Sequence, residues 1–238
     1  MDPYLLPGDP LTLHFTSHRD GSFDVFEAHR PERGAPFGMI AKRTDISTAA
    51  TDETGMYLFP AADRGYHAHT SSIDGSPELW ELAVTPGALA RERPLTELAG
   101  RGPIYYDPWP SPDDLELTFT ADPSNQTRIY RATRSDRSAP WSNPVIFAGA
   151  AGASGATLTS DRLTLVYAEP AAAGTGYDLF YATRASVMEP FPSGQPIIGV
   201  NTTVSEYEPS IREDGCELFF SRAAGPSDSD IYSVEVLP

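Results

Sequence analysis

The sequence predicts an all-β fold: a five-bladed β-propeller of mostly four-stranded antiparallel blades, built from 238 residues. Three observations support this prediction. A short sequence motif, which we call the phrase, recurs along the chain. In it, an acidic residue and a proline open a short segment. Apolar runs with two-residue alternation are bounded by turn residues, and no stretch keeps a helical period over three turns. The phrase returns at intervals of roughly 45–60 residues, which is typical of propeller blades.

The last unit shows the phrase most completely. Glu208 and Pro209 open a short segment, Asp214-Gly215 provides a turn, and residues 218–220 (Leu-Phe-Phe) continue as an apolar run. A further run starts at Asp230. Two apolar runs separated by turn residues are typical of neighbouring antiparallel strands.

Two series of residues keep the same register through all five units. The aromatic residue that closes the predicted second strand recurs at Phe15, Phe59, Phe119, Tyr167 and Phe220. The residue that opens the predicted third strand recurs at Asp24, Glu78, Arg128, Asp178 and Asp230. We expect the aromatic residues to occupy equivalent buried positions in successive blades.

The whole chain, residues 1–238, is predicted to form one propeller domain. The five blades are expected at approximately residues 2–43, 44–99, 100–149, 150–200 and 201–238. Blade one opens with an innermost strand at residues 2–6 and closes with an outer strand near Met39. Proline-rich segments at residues 139–146 and 190–198 are expected to supply the outer strands of blades three and four, because edge strands tolerate proline.

Blade two matches the phrase least well. Its first strand is expected near Ile46 and its second at residues 56–59. Its third strand, opened by Glu78, arrives late. We therefore expect residues 63–76 to form an insertion that projects from one face as the least regular part of the chain.

The fifth blade is expected to have three strands, because no segment is left for its outer strand after the third strand, which begins at Asp230. Propellers commonly close by mixing N- and C-terminal strands in one blade. The innermost strand begins directly at Asp2. We therefore expect blade five to close against blade one by side-chain packing rather than by strand exchange.

The formal net charge of −16 argues against binding of nucleic acid or of an anionic membrane surface. No apolar run approaches the roughly 18 residues of a membrane helix, so no membrane insertion is predicted. The first residues lack a basic region followed by an apolar core, and no signal peptide is predicted there. We expect a monomer without a cofactor.

Candidate ligand-binding residues lie at one mouth of the predicted channel. Asp2, Asp107 and Glu208 each precede a proline at the start of an innermost strand, and Trp109 follows two residues after Asp107. We call the three acids the acidic half-ring. They supply hard oxygen ligands for a cation or a polyol. Alternatively, they accept backbone hydrogen bonds from the neighbouring blade.

A metal site is a weaker interpretation of two histidines. His67 and His69 alternate like same-face residues of a strand, but no third ligand is nearby in the sequence. We therefore expect them to lie in a solvent-exposed insertion, and no metal site is predicted.

The repeated phrase resembles a known family. Residues 199–202 (Gly-Val-Asn-Thr), 207–211 (Tyr-Glu-Pro-Ser-Ile), 218–221 (Leu-Phe-Phe-Ser) and 230–232 (Asp-Ile-Tyr) resemble the TolB-like, WD-repeat-like β-propeller repeat of bacterial envelope and secreted proteins. The resemblance implies a periplasmic or secreted propeller. It also implies a non-catalytic recognition or scaffold module that binds a protein, glycan or small ligand at one channel mouth.

The alternative is an enzyme. Asp2-Pro3 and Asp107-Pro108 resemble the segments that carry the base and the pKa-modulating Asp of five-bladed, arabinanase-like glycoside hydrolases. Hydrolysis needs two carboxyl groups that flank the sugar bond, one of them protonated. That family supplies the acid as a Glu on a nearby blade, where this sequence has residues 153–156 (Ala-Ser-Gly-Ala) without a carboxyl group.

Overall fold

The computed structural model describes residues 2–6, 8–49, 51–59, 63–70, 77–85, 88–98, 105–122, 126–172, 176–225 and 228–236. These residues form five antiparallel sheets, arranged as the five blades of a β-propeller, so the predicted fold class is confirmed. The described part contains no helix long and apolar enough to cross a membrane.

The first two blades each have four strands in sequential order. Blade one contains β1 (Tyr4–Leu5), β2 (Thr12–Ser17), β3 (Asp24–His29) and β4 (Gly38–Lys42). Blade two contains β5 (Glu53–Leu58), β6 (Arg64–Thr70), β7 (Pro77–Thr85) and β8 (Ala88–Pro94). A short 3-10 helix (Thr96–Leu98) follows β8.

Blades three and four also have four strands, whereas blade five has three among the described residues. Blade three contains β9 (Tyr105–Pro110), β10 (Glu116–Ala121), β11 (Arg128–Thr133) and β12 (Val145–Ala148). Blade four contains β13 (Ser154–Leu158), β14 (Thr164–Pro170), β15 (Tyr177–Thr183) and β16 (Gln195–Pro196). Blade five contains β17 (Glu206–Ile211), β18 (Glu217–Gly225) and β19 (Asp228–Glu235).

The predicted aromatic register is confirmed in four blades. The second-strand aromatic residues are buried and each stacks on the paired residue of the third strand, with ring centroids 5.8–6.2 Å apart. The four pairs are Phe15 with Phe26, Phe119 with Tyr130, Tyr167 with Phe180, and Phe220 with Tyr232. The second-strand member of each pair packs against residues of the preceding blade in the ring.

Blade two corrects two expectations. Residues 56–59 belong largely to the innermost strand β5, and the second strand is β6, inside the segment expected to be an irregular insertion. Tyr66 and His67 on β6 are buried, at 1% and 0% exposure. His67 pairs with Trp80 and so replaces Phe59 as the member of the aromatic series. Residues 71–76 of the expected insertion lie outside the described residues.

The third-strand series is in register in every blade. The five residues predicted to open the third strands all pair with the same position of the second strand. The pairs are Asp24 with Ser17, Glu78 with His69, Arg128 with Ala121, Asp178 with Glu169, and Asp230 with Arg222. The strand expected late in blade two was therefore placed correctly, although the strand before it was not.

An arginine after the third strand anchors the outer segment in three blades. Its guanidinium lies over an aromatic ring seven residues later: Arg30 over Phe37 at 4.6 Å, Arg134 over Trp141 at 4.2 Å, and Arg184 over Phe191 at 4.3 Å. Its Nε donates to a carbonyl in the hairpin between the first two strands of the same blade. The contact is favourable because the cation faces the electron-rich ring.

Candidate functional site

Each innermost strand has a residue with left-handed backbone near its start. These residues are Asp2 (φ 36°), Gly55 (φ 45°), Asp107 (φ 53°), Gly155 (φ 64°) and Glu208 (φ 51°). In blades two to five the pairing with the second strand is irregular around this position, as in a β-bulge. Left-handed backbone costs a non-glycine residue roughly 1–2 kcal/mol, so the acidic half-ring is a strained feature of the fold.

The three acids connect neighbouring blades. Asp2 Oδ2 accepts the backbone N–H of Gly55 at 3.1 Å, and Asp107 Oδ2 accepts that of Gly155 at 3.2 Å. Glu208 Oε2 accepts the backbone N–H of Asp2 at 2.9 Å, which joins blade five to blade one. Each carboxyl group thus binds the left-handed residue of the next blade.

A hydroxyl group of the second strand holds each acid in place. Thr16 donates to Asp2 Oδ2 at 2.6 Å, and Ser221 donates to Glu208 Oε2 at 2.8 Å. In blade three, Thr120 donates to Asp107 Oδ2 at 3.0 Å. The two blades without an acid have Ala68 and Ala168 at this position. The hydroxyl therefore occurs where there is a carboxyl group to bind.

The two glycines stand where the next blade approaches closely. A Cβ atom added at Gly55 would lie 3.0 Å from the backbone nitrogen of Asp107. One added at Gly155 would lie 3.2 Å from Cδ of Pro209. Blades two and four therefore approach their successors closely at these positions, and an added side chain would press on the next blade.

The acidic half-ring surrounds a small cavity of about 40 Å³, which Trp109 also lines. Burial raises the pKa of Asp107 to about 8, and the charges of Asp2 and Glu208 act in the same direction. Burial, followed by the charge of Asp2, raises the pKa of Glu208. At neutral pH the site therefore favours a protonated carboxyl group or a bound cation.

Three aromatic rings close the channel beyond the acids. The ring centroids of Tyr4 and Tyr57, and those of Tyr57 and Trp109, lie 5.1 Å apart, and Tyr4 Oη donates to the carbonyl of Leu58 at 2.6 Å. A second cavity of about 230 Å³ lies beyond these rings, at the ends of β1 and β17. Its charged lining residues are Arg33, Arg212, Glu213 and Asp214.

The structure brings the four predicted ligand-binding residues to one cavity: Asp2, Asp107, Trp109 and Glu208. Sequence reasoning placed residues 153–156 at the equivalent start of blade four without giving Gly155 a role, and it missed Gly55, which holds the same position in blade two. A glycine at the start of an innermost strand, in step with the acids, was the available signal.

The two histidines do not form a metal site with other described residues. His67 Nε2 accepts the N–H of Arg91 Nε at 3.1 Å, and His69 Nδ1 lies 3.4 Å from the carboxylate of Glu53. Burial lowers the pKa of His67 well below its ordinary value. In the described ranges, no group of three or more His, Cys, Asp or Glu side chains is arranged to hold a metal ion. The solvent exposure expected for both histidines is wrong, because they lie on β6 of blade two: His67 is fully buried and the side chain of His69 is 11% exposed.

No protein-family model matches this sequence, and no curated protein matches it either. Solved structures match its fold. TolB from Acinetobacter baumannii is 13% identical with a TM-score of 0.61, and the match covers 99% of this chain and 51% of TolB. This chain therefore spans about half the length of that protein.

Two glycoside hydrolases have the same fold. A thermostable family-43 glycoside hydrolase is 16% identical with a TM-score of 0.69, and the match covers 98% of this chain and 88% of the hydrolase. The catalytic domain of the Coprinopsis cinerea GH62 alpha-L-arabinofuranosidase is 12% identical with a TM-score of 0.65, covering 98% and 89%. These likenesses define a five-bladed propeller with neighbours among both TolB proteins and glycoside hydrolases.

Proposed function

We propose that this chain is a non-catalytic recognition module that binds a cationic group of a partner protein or small ligand at the acidic half-ring. The observation that carries the proposal is the convergence of Asp2, Asp107 and Glu208 on one small cavity. The salt bridges among described residues include neither Asp2 nor Asp107. A cation entering the cavity would stabilise the ionised form of Asp107 and Glu208.

The size of the cavity supports recognition of a small charged group. A cavity of about 40 Å³ holds at least one water or an ammonium head, because about 10–15 Å³ of cavity volume is enough for one water. Two tyrosines directly precede acids of the half-ring: Tyr106 and Tyr207. Burial, followed by the charge of Asp107, raises the pKa of Tyr106 to about 12. Burial also raises the pKa of Tyr207, so both phenols stay neutral at neutral pH.

Isothermal titration calorimetry with a capped Gly-Lys-Gly peptide tests this proposal. Binding is expected to strengthen as pH rises through about 8, because Asp107 must lose its proton to bind a cation. Asp107→Asn is expected to weaken binding about tenfold or more. Asp136→Asn, at an exposed carboxylate, is the matched control and should bind like the wild type. Failure of the peptide to bind, or equal weakening by both variants, rejects the proposal.

The runner-up function is glycoside hydrolysis. It is favoured by one observation, a buried carboxyl group with raised pKa beside two further acids, which is the combination that acid catalysis of sugar cleavage requires. Against it, Gly155 stands where the fourth blade would supply the acid, and an oxygen of each carboxyl group accepts an inter-blade hydrogen bond. Release of reducing sugar from arabinan, abolished by Asp107→Asn, would establish the hydrolase instead.

Placement outside the cytoplasm, in the periplasm or the medium, belongs to the same proposal. It is supported by the resemblance of the repeated phrase to envelope propellers. We also propose a monomer. Sedimentation velocity at micromolar concentration tests the oligomeric state, and fractionation of the source cells tests the compartment.

A further inference from the structure

The outer edge of blade five is unpaired in the described part of the chain. Every other blade has a fourth strand beside its third, whereas the sheet of blade five ends at β19. The Val236 N–H donates to the carbonyl of Cys216 at 2.9 Å. Because partners alternate along an antiparallel ladder, the backbone groups of Ile231, Ser233 and Glu235 then face away from β18. This edge is a row of available donors and acceptors.

A cleft of about 760 Å³ lies beside this edge, between blade five and blade one. Ligand-binding clefts typically measure about 300–1,000 Å³. Residues from both faces of β19 line it, Asp230 and Ile231 among them, so the cleft reaches the edge itself. Blade one contributes the apolar side chains of Phe15, Phe37 and Ile40 to the opposite wall. The space is therefore large enough, and apolar enough, to hold part of an added strand.

The exposure of Tyr232, the third-strand aromatic residue of blade five, shows which side chain is uncovered where no fourth strand pairs with β19 in the described residues. Tyr232 is 40% exposed, whereas its counterparts Phe26 and Tyr130 are 4% and 6% exposed. In blades one and three these residues pair with Lys42 and Ile146 of a fourth strand. Tyr232 has no such neighbour among the described residues.

The charge of β19 indicates the chemistry of its partner. The strand contains Asp228, Asp230 and Glu235 and no basic residue. The counterpart of Asp230 in blade one is Asp24, which is fully buried, and the outer strand β4 places Lys42 Nζ 2.6 Å from its Oδ2. In blade one, therefore, the outer strand next to an acidic third-strand residue supplies a basic side chain.

Blade two also pairs a basic outer strand with an acidic third strand, at a different position of the ladder, three residues after Glu78, the counterpart of Asp230. Arg93 on the outer strand β8 lies 2.9 Å from Glu81 on the third strand β7. On the far wall of the cleft, Arg30 is bound by Glu217, and Arg19 lies over the ring of Phe26 at 4.7 Å. Arg33 also lines the cleft, so the cleft carries charges of both signs, whereas the charged side chains of β19, the strand that an added segment would pair with, are all acidic.

We propose that β19 binds an extended basic segment of a partner protein, which adds as an antiparallel fourth strand to blade five. In such strand addition the backbone hydrogen bonds provide affinity and alternate side chains provide specificity. The segment presents Lys or Arg to Asp230 and apolar residues to Tyr232 and to the cleft. This surface is separate from the acidic half-ring, and the proposal does not rest on the function proposed above.

A peptide copying residues 37–43 (Phe-Gly-Met-Ile-Ala-Lys-Arg), this chain's own outer strand, is a suitable probe. We expect it to bind the full chain and to slow hydrogen exchange at Ile231, Ser233 and Glu235. A copy with both basic residues replaced by glutamate should bind about tenfold more weakly or worse. Ser233→Pro removes an N–H that faces the vacant edge, so the blade should fold but bind at least about tenfold more weakly. Ser233→Ala is the matched control and should bind normally.

The proposal is overturned if the basic copy does not bind, if both copies bind equally, or if Ser233→Pro binds as well as Ser233→Ala. A concentration-dependent dimer that Ser233→Pro abolishes would assign the edge to a second copy of this chain instead. Circular dichroism of Ser233→Pro shows whether the blade remains folded. If it does not, Asp230→Asn provides the test, with weaker binding and a shallower salt dependence expected.

Discussion

Arg30 and Glu217 form a buried two-pronged ion pair between the first and last blades. Both terminal nitrogens of Arg30 lie 3.2 Å from a carboxylate oxygen of Glu217. The guanidinium also lies over Phe37, whose ring contacts Phe219 of blade five at a centroid distance of 6.1 Å. Among the described residues the ring is thus closed by side chains, as the sequence predicted.

Removing one partner of this pair is expected to destabilise the fold strongly. Glu217→Ala leaves the charge of Arg30 buried without compensation, and should lower the free energy of unfolding by about 3–5 kcal/mol. Urea denaturation measures the loss. Asp63→Ala breaks an exposed pair with Arg64 and should cost less than about 1 kcal/mol. Equal losses in the two variants would show that the junction between blades one and five is not held by this pair.

The aromatic layer between blades is the second target. Phe119 is fully buried, and Phe119→Ala should lower the free energy of unfolding by about 3–5 kcal/mol. Phe23 is 38% exposed, so Phe23→Ala is the control with a much smaller expected effect. A small loss for Phe119→Ala in thermal or urea unfolding would contradict the assignment of this position to the core.

The raised pKa of Asp107 predicts a pH dependence of stability. The folded state holds this proton up to about pH 8, whereas the unfolded state releases it near 3.8. The contribution of Asp107 is therefore fully present below about pH 4 and is lost as pH rises to about 8. Relative to Asp107→Asn, the wild type should lose stability over this range in urea titrations. A parallel pH dependence of both proteins would contradict the prediction.

Glu27 provides a comparison with the opposite sign. A hydrogen bond from His14 is the main cause that lowers its pKa to about 2, with His29 and Arg43 acting in the same direction. Its contribution is therefore present above the ordinary value of 4.5 and is lost as pH falls through about 2. The stability difference between wild type and Glu27→Gln should accordingly shrink in acid, in the same titrations.

The close approach at Gly155 can be separated from its left-handed backbone. Gly199→Ala tests backbone strain alone, because this glycine also has positive φ but no heavy atom within 4 Å of an added Cβ. It should cost roughly 1–2 kcal/mol. Gly155→Ala should cost about 1–3 kcal/mol more, because the added methyl presses on Pro209. Chemical denaturation of both variants tests this, and equal losses would exclude the steric contribution.

The free edge of blade five should open early. Because no strand pairs with them, the amides of Ile231, Ser233 and Glu235 are expected to exchange hydrogen early. In blade three, Ile129 and Arg131 hold the positions of Ile231 and Ser233, and their amides should exchange later. Those counterparts pair with the outer strand β12. Mass spectrometry of peptic fragments resolves the two strands. Equal protection would indicate that β19 is covered.

Most of the blade pattern could be predicted because the second and third strands pack between neighbouring blades and carry apolar, aromatic residues. Blade two misled the prediction for a physical reason. Its second strand has Gly65, His67 and His69 on one face, so the usual apolar signal is missing. Its innermost strand contains Tyr57 and Leu58, which are buried in the channel wall and resemble a second strand.

The candidate site was predictable only in part. The Asp-Pro and Glu-Pro phrases identified Asp2, Asp107 and Glu208, because the acid and the proline recur together. The hydrogen bond from each acid to the next blade depends on the geometry of the ring, which no local pattern contains. Two roles were considered for the acids, ligand binding and acceptance of backbone hydrogen bonds from the next blade. The acids do accept these hydrogen bonds, and ligand binding by the same carboxyl groups is a proposal.

The number of blades has a consequence for the acidic half-ring. Going round the channel, acid and glycine alternate from Asp2 through Gly55, Asp107 and Gly155 to Glu208. An odd ring cannot alternate two kinds of residue without placing two of one kind side by side. The two adjacent acids are Glu208 and Asp2, so this junction has no glycine at which the two backbones could approach closely. The same junction contains the 760 Å³ cleft, so the junction between two acids is also the one where blades five and one leave space between them.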